Sequence, residues 1–437
     1  MSDLRLKVND FKAISNADIV LNGITVLSGI NGTGKSTLSK LLYYSVKLTL
    51  EYDKNRILNF YRKWERTLFS MMRLSEDFNL SIDRSLLEMR RSVDSIENID
   101  IAYEIIKTNI NKINQAFILR NNEKVFNDRE ILKITKTIEN STLRKEKINK
   151  FKEFSAIEDI FIELKNNIDK DKNEVEQIIK DRPLLLLTSE LRQYFGSKNI
   201  SFSLFEDEIP VIDSTKKRLN NLFSIENIIY LDTPMFLNNR VPYRLFHGNS
   251  HWDDLVNIIN TKPIKDLGKE SSIIDENISE IISGKISLED NDFDYRMIYE
   301  RNDGLKIDLE ETATGIKSFA VLQLLLSKGL LNSKTLMILD EPEAHLHPQW
   351  IVEYAKVLVS LNKYLGVKFM IASHNPDMVS AIRYISEKEE TQNTLNFYLA
   401  EKLENKEEYN FKSLGIDIDP IFTSFNIALD RISEYGI

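Results

Sequence analysis

Apolar and polar positions alternate or run in short blocks at both ends of the chain, and the middle follows a different rhythm. Near the start, "LRLKVNDF", "ADIVL" and "GITVLSG" carry the two-residue period or the short unbroken apolar run of strands. Later, "IIYLDTP", "TLMILDEP" and "VKFMIASHN" are apolar blocks that end at turn or charge signals, as strands buried on both faces do. "YRMIYERNDGLKIDLEE" predicts a hairpin turning at Asn302, Asp303 and Gly304. Between Lys35 and Arg182 there is neither proline nor glycine, and all nine prolines lie at 183 or later. Inside a helix Pro costs about 3 and Gly about 1 kcal/mol, so a stretch without either reads as helical. Ile57, Tyr61, Trp64, Leu68 and Met71 step by alternating fours and threes, and Phe161, Leu164, Ile168, Val175 and Ile178 keep the same seam, with Asp171 as its one polar member. The two seams could pair as a short antiparallel coiled coil with arms no longer than ~110 Å. A compact helical bundle is the alternative, favoured by the shortness of the seams and by Asn-rich joints such as "IKTNINKINQ".

The pattern therefore predicts an α/β nucleotide-binding head made of residues 1–46 and 186–437, with an all-α insertion at 47–185. Composition narrows the function. The chain has 437 residues, 42% of them hydrophobic, which suits a globular protein of two or three domains. No apolar run reaches the ~20 residues of a membrane span, and Met1 opens on "SDLRLKVNDF" instead of a basic-then-apolar signal, so a cytoplasmic location with no membrane is expected. The absence of cysteine excludes disulfides, thiol catalysis and Cys-based zinc sites. A net charge of −9 argues against a molecule that holds nucleic acid by overall charge, although local patches are not excluded. The most basic short run, "RKEKINKFK" at 144–152, reads as a solvated helix face.

The chemistry concentrates in a few places. Gly29-Ile-Asn31-Gly32-Thr33-Gly34-Lys35-Ser36-Thr37 fits a P-loop between a strand and a helix. Its glycines let backbone amides turn inward around phosphate oxygens at a helix start, Lys35 neutralises β/γ oxygens, and Ser36 offers a hydroxyl to Mg²⁺. "LMILDEPEAHLHP" supplies the complement, an apolar strand delivering Asp340 to the metal and Glu341 to the attacking water. An acidic turn after a strand explains either carboxylate alone, but not the ordered pair downstream of a P-loop.

Taken in order, these motifs resemble the ATP-binding-cassette type heads of the SMC, RecF and overcoming-lysogenization-defect (OLD) ATPases. "TATGIK" at 312–317 is similar to that superfamily's signature, with Thr314, Gly315 and Lys317 at its nucleotide-facing positions, though Thr stands where Ser is usual and the leading Leu is missing. Glu-Ala-His-Leu-His-Pro at 343–348 resembles the loop of the OLD-like branch and puts His347 at the D-loop position, while "IASHNP" puts His374 at the switch histidine. The resemblance implies an ABC-type P-loop ATPase head, a mixed sheet with flanking helices, using ATP and Mg²⁺. It implies a homodimer whose heads sandwich ATP between the P-loop of one copy and the signature of the other. A separately encoded nuclease or toxin as effector, in anti-phage defence, is the role met among compact OLD-like proteins. A RecF- or SMC-like DNA-repair ATPase, an ATP-gated scaffold with little turnover, and a small-molecule kinase are the rivals. "NDFKAI" at 9–14 resembles the strand ending near the nucleotide, which makes Phe11 and Lys12 base or phosphate neighbours, and Gln115 and Gln193 are the candidates for the Q-loop glutamine. His247 and His251 in "HGNSH" read as a loop rather than a metal pair, and "DID" at 417–419 as a turn, since too few residues follow it for a nuclease domain.

Overall fold

The computed structural model describes residues 3–80, 96, 98–123, 126–142, 157–197, 199–233, 251–259, 264, 266–291, 294–344 and 346–423. The basic run at 144–152 and His247 lie outside them. The chain divides into two units, one of residues 1–50 and 184–437 and the other of residues 51–183.

The first unit opens with strands β1 (Leu4–Phe11), β2 (Ile14–Leu21) and β3 (Ile24–Ser28), followed by helix α1 (Lys35–Leu50). The second unit holds α2 (Tyr52–Asp77), α3 (Ile99–Glu123), α4 (Asp128–Thr142) and α5 (Ile157–Asp181). The first unit then resumes with α6 (Leu184–Phe195), β4 (Ser201–Glu206), β5 (Ile209–Asp213), β6 (Asn227–Leu231), α7 (His251–Ile259) and α8 (Lys269–Ile281). It continues with β7 (Gly284–Asn291), β8 (Asp294–Arg301), β9 (Lys306–Asp308), α9 (Thr314–Ser327), β10 (Thr335–Asp340) and α10 (Pro348–Leu365). The last elements are β11 (Lys368–Ser373), α11 (Pro376–Lys388), β12 (Leu395–Lys402) and β13 (Tyr409–Gly415). No described helix is long and apolar enough to cross a membrane.

Ten strands form one mixed sheet in the order β5-β4-β1-β2-β13-β12-β3-β11-β10-β6. From β12 to β6 every pairing is parallel, whereas β1, β2, β4 and β5 pair antiparallel with one another, and β13 joins the two parts, parallel to β2 and antiparallel to β12. The sequence explains the split. β3, β10 and β11 are buried at every position, matching their unbroken apolar runs, because parallel strands here carry helices on both faces. β1 alternates buried and partly exposed positions over most of its length, as a strand with one wet face does. The most apolar helix, α9, is buried along most of its length, with Phe319, Val321, Leu322 and Leu325 in the core it shares with β10, β11 and α10. β7, β8 and β9 make a separate antiparallel sheet, and the predicted turn at Asn302–Gly304 joins β8 to β9 in the register Ile298↔Asp308.

In the second unit α2, α3, α4 and α5 contribute to one apolar core, the arrangement of a bundle. All five residues of the α2 seam are buried, and so are Phe161, Leu164 and Ile168 on α5, with Val175 packed at the margin. Asp171, the polar interruption, accepts a hydrogen bond from the Trp64 indole at 2.9 Å and an ion pair from Lys63 at 2.5 Å. A buried indole N–H needs such an acceptor, so the carboxylate in one seam answers the tryptophan in the other.

Trp64 is 1% exposed at this junction. Trp64→Ala is expected to destabilise the protein by about 3–5 kcal/mol, read as a lower midpoint of chemical unfolding followed by far-UV circular dichroism. An unchanged midpoint would show that the bundle core does not depend on this ring.

Candidate functional site

Parallel register brings the chemistry together. Ser28 at the end of β3 pairs with Ser373 at the end of β11, and Asp340 at the end of β10 pairs with Ala372. The carboxyl ends of these three strands therefore form one rim, the usual place for a ligand on a parallel sheet. From it leave the P-loop, the 341–347 loop and the His374 loop.

The P-loop turns back over the start of α1. Gly34 has a φ of +99°, and a Cβ there would come within 2.8 Å of Ile14, so both conformation and space require glycine. Lys35 is 5% exposed and donates to the carbonyls of Gly29 at 2.7 Å and Ile30 at 2.9 Å. Burial pushes its ammonium below the ordinary lysine range, against the pull of Glu341, Asp340 and Glu343. Thr33 is buried and donates to the Ile30 carbonyl at 3.0 Å, bracing the turn. The loop from Asn31 to Thr37 lines an open cavity of about 240 Å³ with Lys12, Ala13 and Glu341.

At the edge of this cavity, Ser36 donates its hydroxyl to Asp340 Oδ1 at 3.1 Å, and the Tyr230 hydroxyl donates to Oδ2 at 2.9 Å. Asp340 is 7% exposed, and burial raises its pKa although both hydrogen bonds oppose that rise. Ser36 and Asp340 thus present hard oxygen donors side by side, a set that suits Mg²⁺.

Glu341 follows with a φ of +54°, a left-handed conformation rarely taken by residues with a side chain. Its amide donates to the Ala372 carbonyl at 2.8 Å, which holds the strained residue to the end of β11. The Glu341 carboxylate stands 3.1 Å from His374 Nδ1, close in distance but out of hydrogen-bond alignment. Asn375 begins α11 by accepting from the amides of Asp377 and Met378, with Pro376 in the first turn, and so fixes where His374 sits.

Glu343 is the functional-site residue that sequence reasoning missed. It is 5% exposed, and its Oε1 accepts from the Ser373 hydroxyl at 2.7 Å and from the His374 amide at 3.2 Å. Burial raises its pKa, with these hydrogen bonds opposing. The signal was present in the third acid of "DEPEAH", an unusual residue to place three positions past a buried strand.

Several expected residues lie elsewhere or do other work. Lys317 is buried and donates to the Glu310 carbonyl at 2.7 Å, so its ammonium points into its own chain instead of toward a nucleotide. Gly315 is glycine for an internal reason: a Cβ would meet the Trp350 ring at 2.7 Å. Thr314 is the first residue of α9, whose N-cap Ala313 makes no side-chain cap. His347 is exposed and caps α10, with Nδ1 accepting weakly from the Gln349 amide at 3.4 Å. Phe11 is 1% exposed and packs edge-on against Phe195, which leaves no face for a base. Lys12, by contrast, lines the cavity. Gln115 sits exposed on α3 in the other unit and Gln193 exposed on α6, and neither lines the cavity. His251 opens α7 and binds Asp232 Oδ2 through Nε2 at 2.9 Å, a carboxylate that also accepts from the Trp252 indole. No group of residues that could hold a metal by His, Asp and Glu side chains alone occurs among the described residues. Asp417 and Asp419 form a turn in which Asp417 Oδ1 accepts the Asp419 amide.

Residues 4–379 match the family model of the AAA ATPase domain. The chain belongs to that family. The AAA ATPase domain here occupies a sheet that is mixed, with helices on its faces, and it carries a P-loop. Solved structures similar to it include an SMC head bound to the C-winged helix domain of ScpA, with TM-score 0.38 and 11% identity over 96% of this chain and 98% of that one. An SMC head with an extended coiled coil, bound to the C-terminal domain of ScpA from Pyrococcus furiosus, matches with TM-score 0.34 and 11% identity over 100% of both chains. An ATP-binding cassette of an ABC transporter in its ADP conformation matches with TM-score 0.34 and 11% identity over 97% and 98%. At that identity the likeness concerns fold alone. No curated protein matches the chain significantly.

The close fit of Trp350 over Gly315 gives a direct test. Gly315→Ala is expected to destabilise the AAA ATPase domain by about 1–3 kcal/mol through overpacking, and Trp350→Leu in the same chain should recover part of the loss. A Gly315→Ala protein with wild-type thermal stability would mean that the ring moves aside freely.

Proposed function

We propose that this AAA ATPase domain binds ATP in the P-loop cavity and hydrolyses it, and that it uses the cycle to join and release two copies of itself. The observation that carries the reading is that Ser36 and Glu341 line the cavity that the P-loop encloses, with Asp340 tied to that edge by its hydrogen bond from Ser36. On nucleotide entry Lys35 exchanges the Gly29 and Ile30 carbonyls for β/γ-phosphate oxygens, a stronger partner for an ammonium that burial disfavours. The amides of Asn31 to Thr37 cradle the phosphates. Ser36, and Asp340 through water, would hold Mg²⁺, which neutralises charge on the phosphate oxygens. Glu341 orients the attacking water and takes its proton. The water oxygen bonds to the γ-phosphorus, the bond to the β-phosphate oxygen breaks, and ADP and phosphate remain. His374, beside Glu341, contacts the γ-phosphate.

In the closed dimer the start of α9, Thr314 and Gly315, faces the γ-phosphate held by the other copy. The first amides of α9 lack a side-chain cap and are free to serve as donors there. The helical unit would pass the change to an effector. "DEPEAHLHP" and "SHNP" are the grounds for placing that effector, a nuclease or toxin, in anti-phage defence.

Glu341→Gln separates the steps. ATP binding should survive while turnover falls by roughly a hundredfold or more, and under ATP with Mg²⁺ the variant should run at twice its nucleotide-free mass on sizing. Unchanged mass would exclude the dimer, and undiminished turnover would exclude Glu341 as the base. Loss of protection against phage in the same variant, in cells carrying the neighbouring effector gene, tests the defence role. A neighbouring repair or replication gene would favour the DNA-repair alternative instead.

A further inference from the structure

Two buried polar atoms beside the proposed site have no hydrogen-bond partner: Glu343 Oε2 and His374 Nδ1. They are chemically complementary, one an acceptor and the other able to donate, and they belong to side chains already close, with Nδ1 3.9 Å from Glu343 Oε1. Leaving such groups unpaired costs stability, so both are poised for a contact made in another state of the site. Meanwhile Nδ1 lies 3.1 Å from Glu341, the carboxylate needed for the water. Glu343 itself cannot move far. Its Oε1 is fixed by Ser373 and the His374 amide, and its carbonyl accepts from the Leu346 amide at 3.0 Å. His374 is freer, with a side chain 41% exposed.

We propose that Glu343 is the positioning residue for His374: when nucleotide fills the cavity, the His374 ring turns so that Nδ1 leaves Glu341 and donates to Glu343, freeing Glu341 for the water. Before that turn the imidazole stands against the carboxylate without bonding to it, and hydrolysis waits for the site to be filled. The inference rests on the hydrolytic reading above and adds to it a residue and an order of events.

Glu343→Gln tests it, because the amide keeps a carbonyl oxygen for Ser373 and the His374 amide but puts an NH₂ donor where Nδ1 needs an acceptor. The expected result is a kcat lower by roughly tenfold with KM unchanged, a melting temperature close to wild type, and no further loss when the change is made in a His374→Ala background. An equal loss in both backgrounds, a change confined to KM, or full activity would overturn the proposal. A second readout does not need turnover. With five histidines in the chain, selective isotope labelling resolves the His374 ring by NMR. Its Nδ1 signal should move to that of a hydrogen-bond donor on adding ATP with Mg²⁺ in the wild type and not in Glu343→Gln. Identical shifts in both proteins would refute the hand-over even if the wild type proved to hydrolyse nothing, which would instead refute the hydrolytic reading.

Discussion

The hydrogen bond from Ser36 to Asp340 joins two segments far apart in sequence, and nearly everything at the site depends on the strand register that permits it. β11 lies between the strand that leads into the P-loop and the strand that bears Asp340, pairing with β3 through Ser28↔Ser373 and with β10 through Asp340↔Ala372. A slip of one residue in either ladder would turn Asp340 to the opposite face of the sheet. The three strands are apolar along their length, which fixes the register by burial and leaves only their ends for chemistry. The site's polarity thus depends on strands that have almost none.

The same burial sets the electrostatics. Lys35, Asp340 and Glu343 are each withdrawn from water, and each is pushed by that burial toward its uncharged form. Their mutual arrangement partly offsets the cost, with the lysine drawn toward its charged form by three nearby acids. Glu341 and His374, more than a third exposed, form the part of the site able to move.

What could be read from the sequence was what spacing alone dictates. The P-loop and the Asp340–Glu341 pair follow from adjacent residues on a strand–turn–helix frame, and the helical stretch follows from the absence of Pro and Gly. Trp64 and Asp171 could be named as seam members, but their hydrogen bond could not, since it joins α2 to α5. Side-chain direction was hidden as well. Lys317 and Gly315 stand where a signature places them, yet one turns inward to Glu310 and the other lies under Trp350, a residue 35 positions away in the chain. Phe11 was misjudged for the same reason, because its partner Phe195 arrives from the far side of the helical stretch. Glu343 was overlooked because a second acid in an acidic turn looks like solvated surface until the fold closes Ser373 over it.

The stacking of Trp350 on Gly315 has a mechanical side. Trp350 begins α10 with its amide donating to the His347 carbonyl, and Gly315 begins α9, so the starts of two helices are keyed together by one ring with no slack for a methyl group. Neither can slide or rotate alone. The start of α9 and the start of α10 therefore hold a fixed spacing, set by the width of one indole ring.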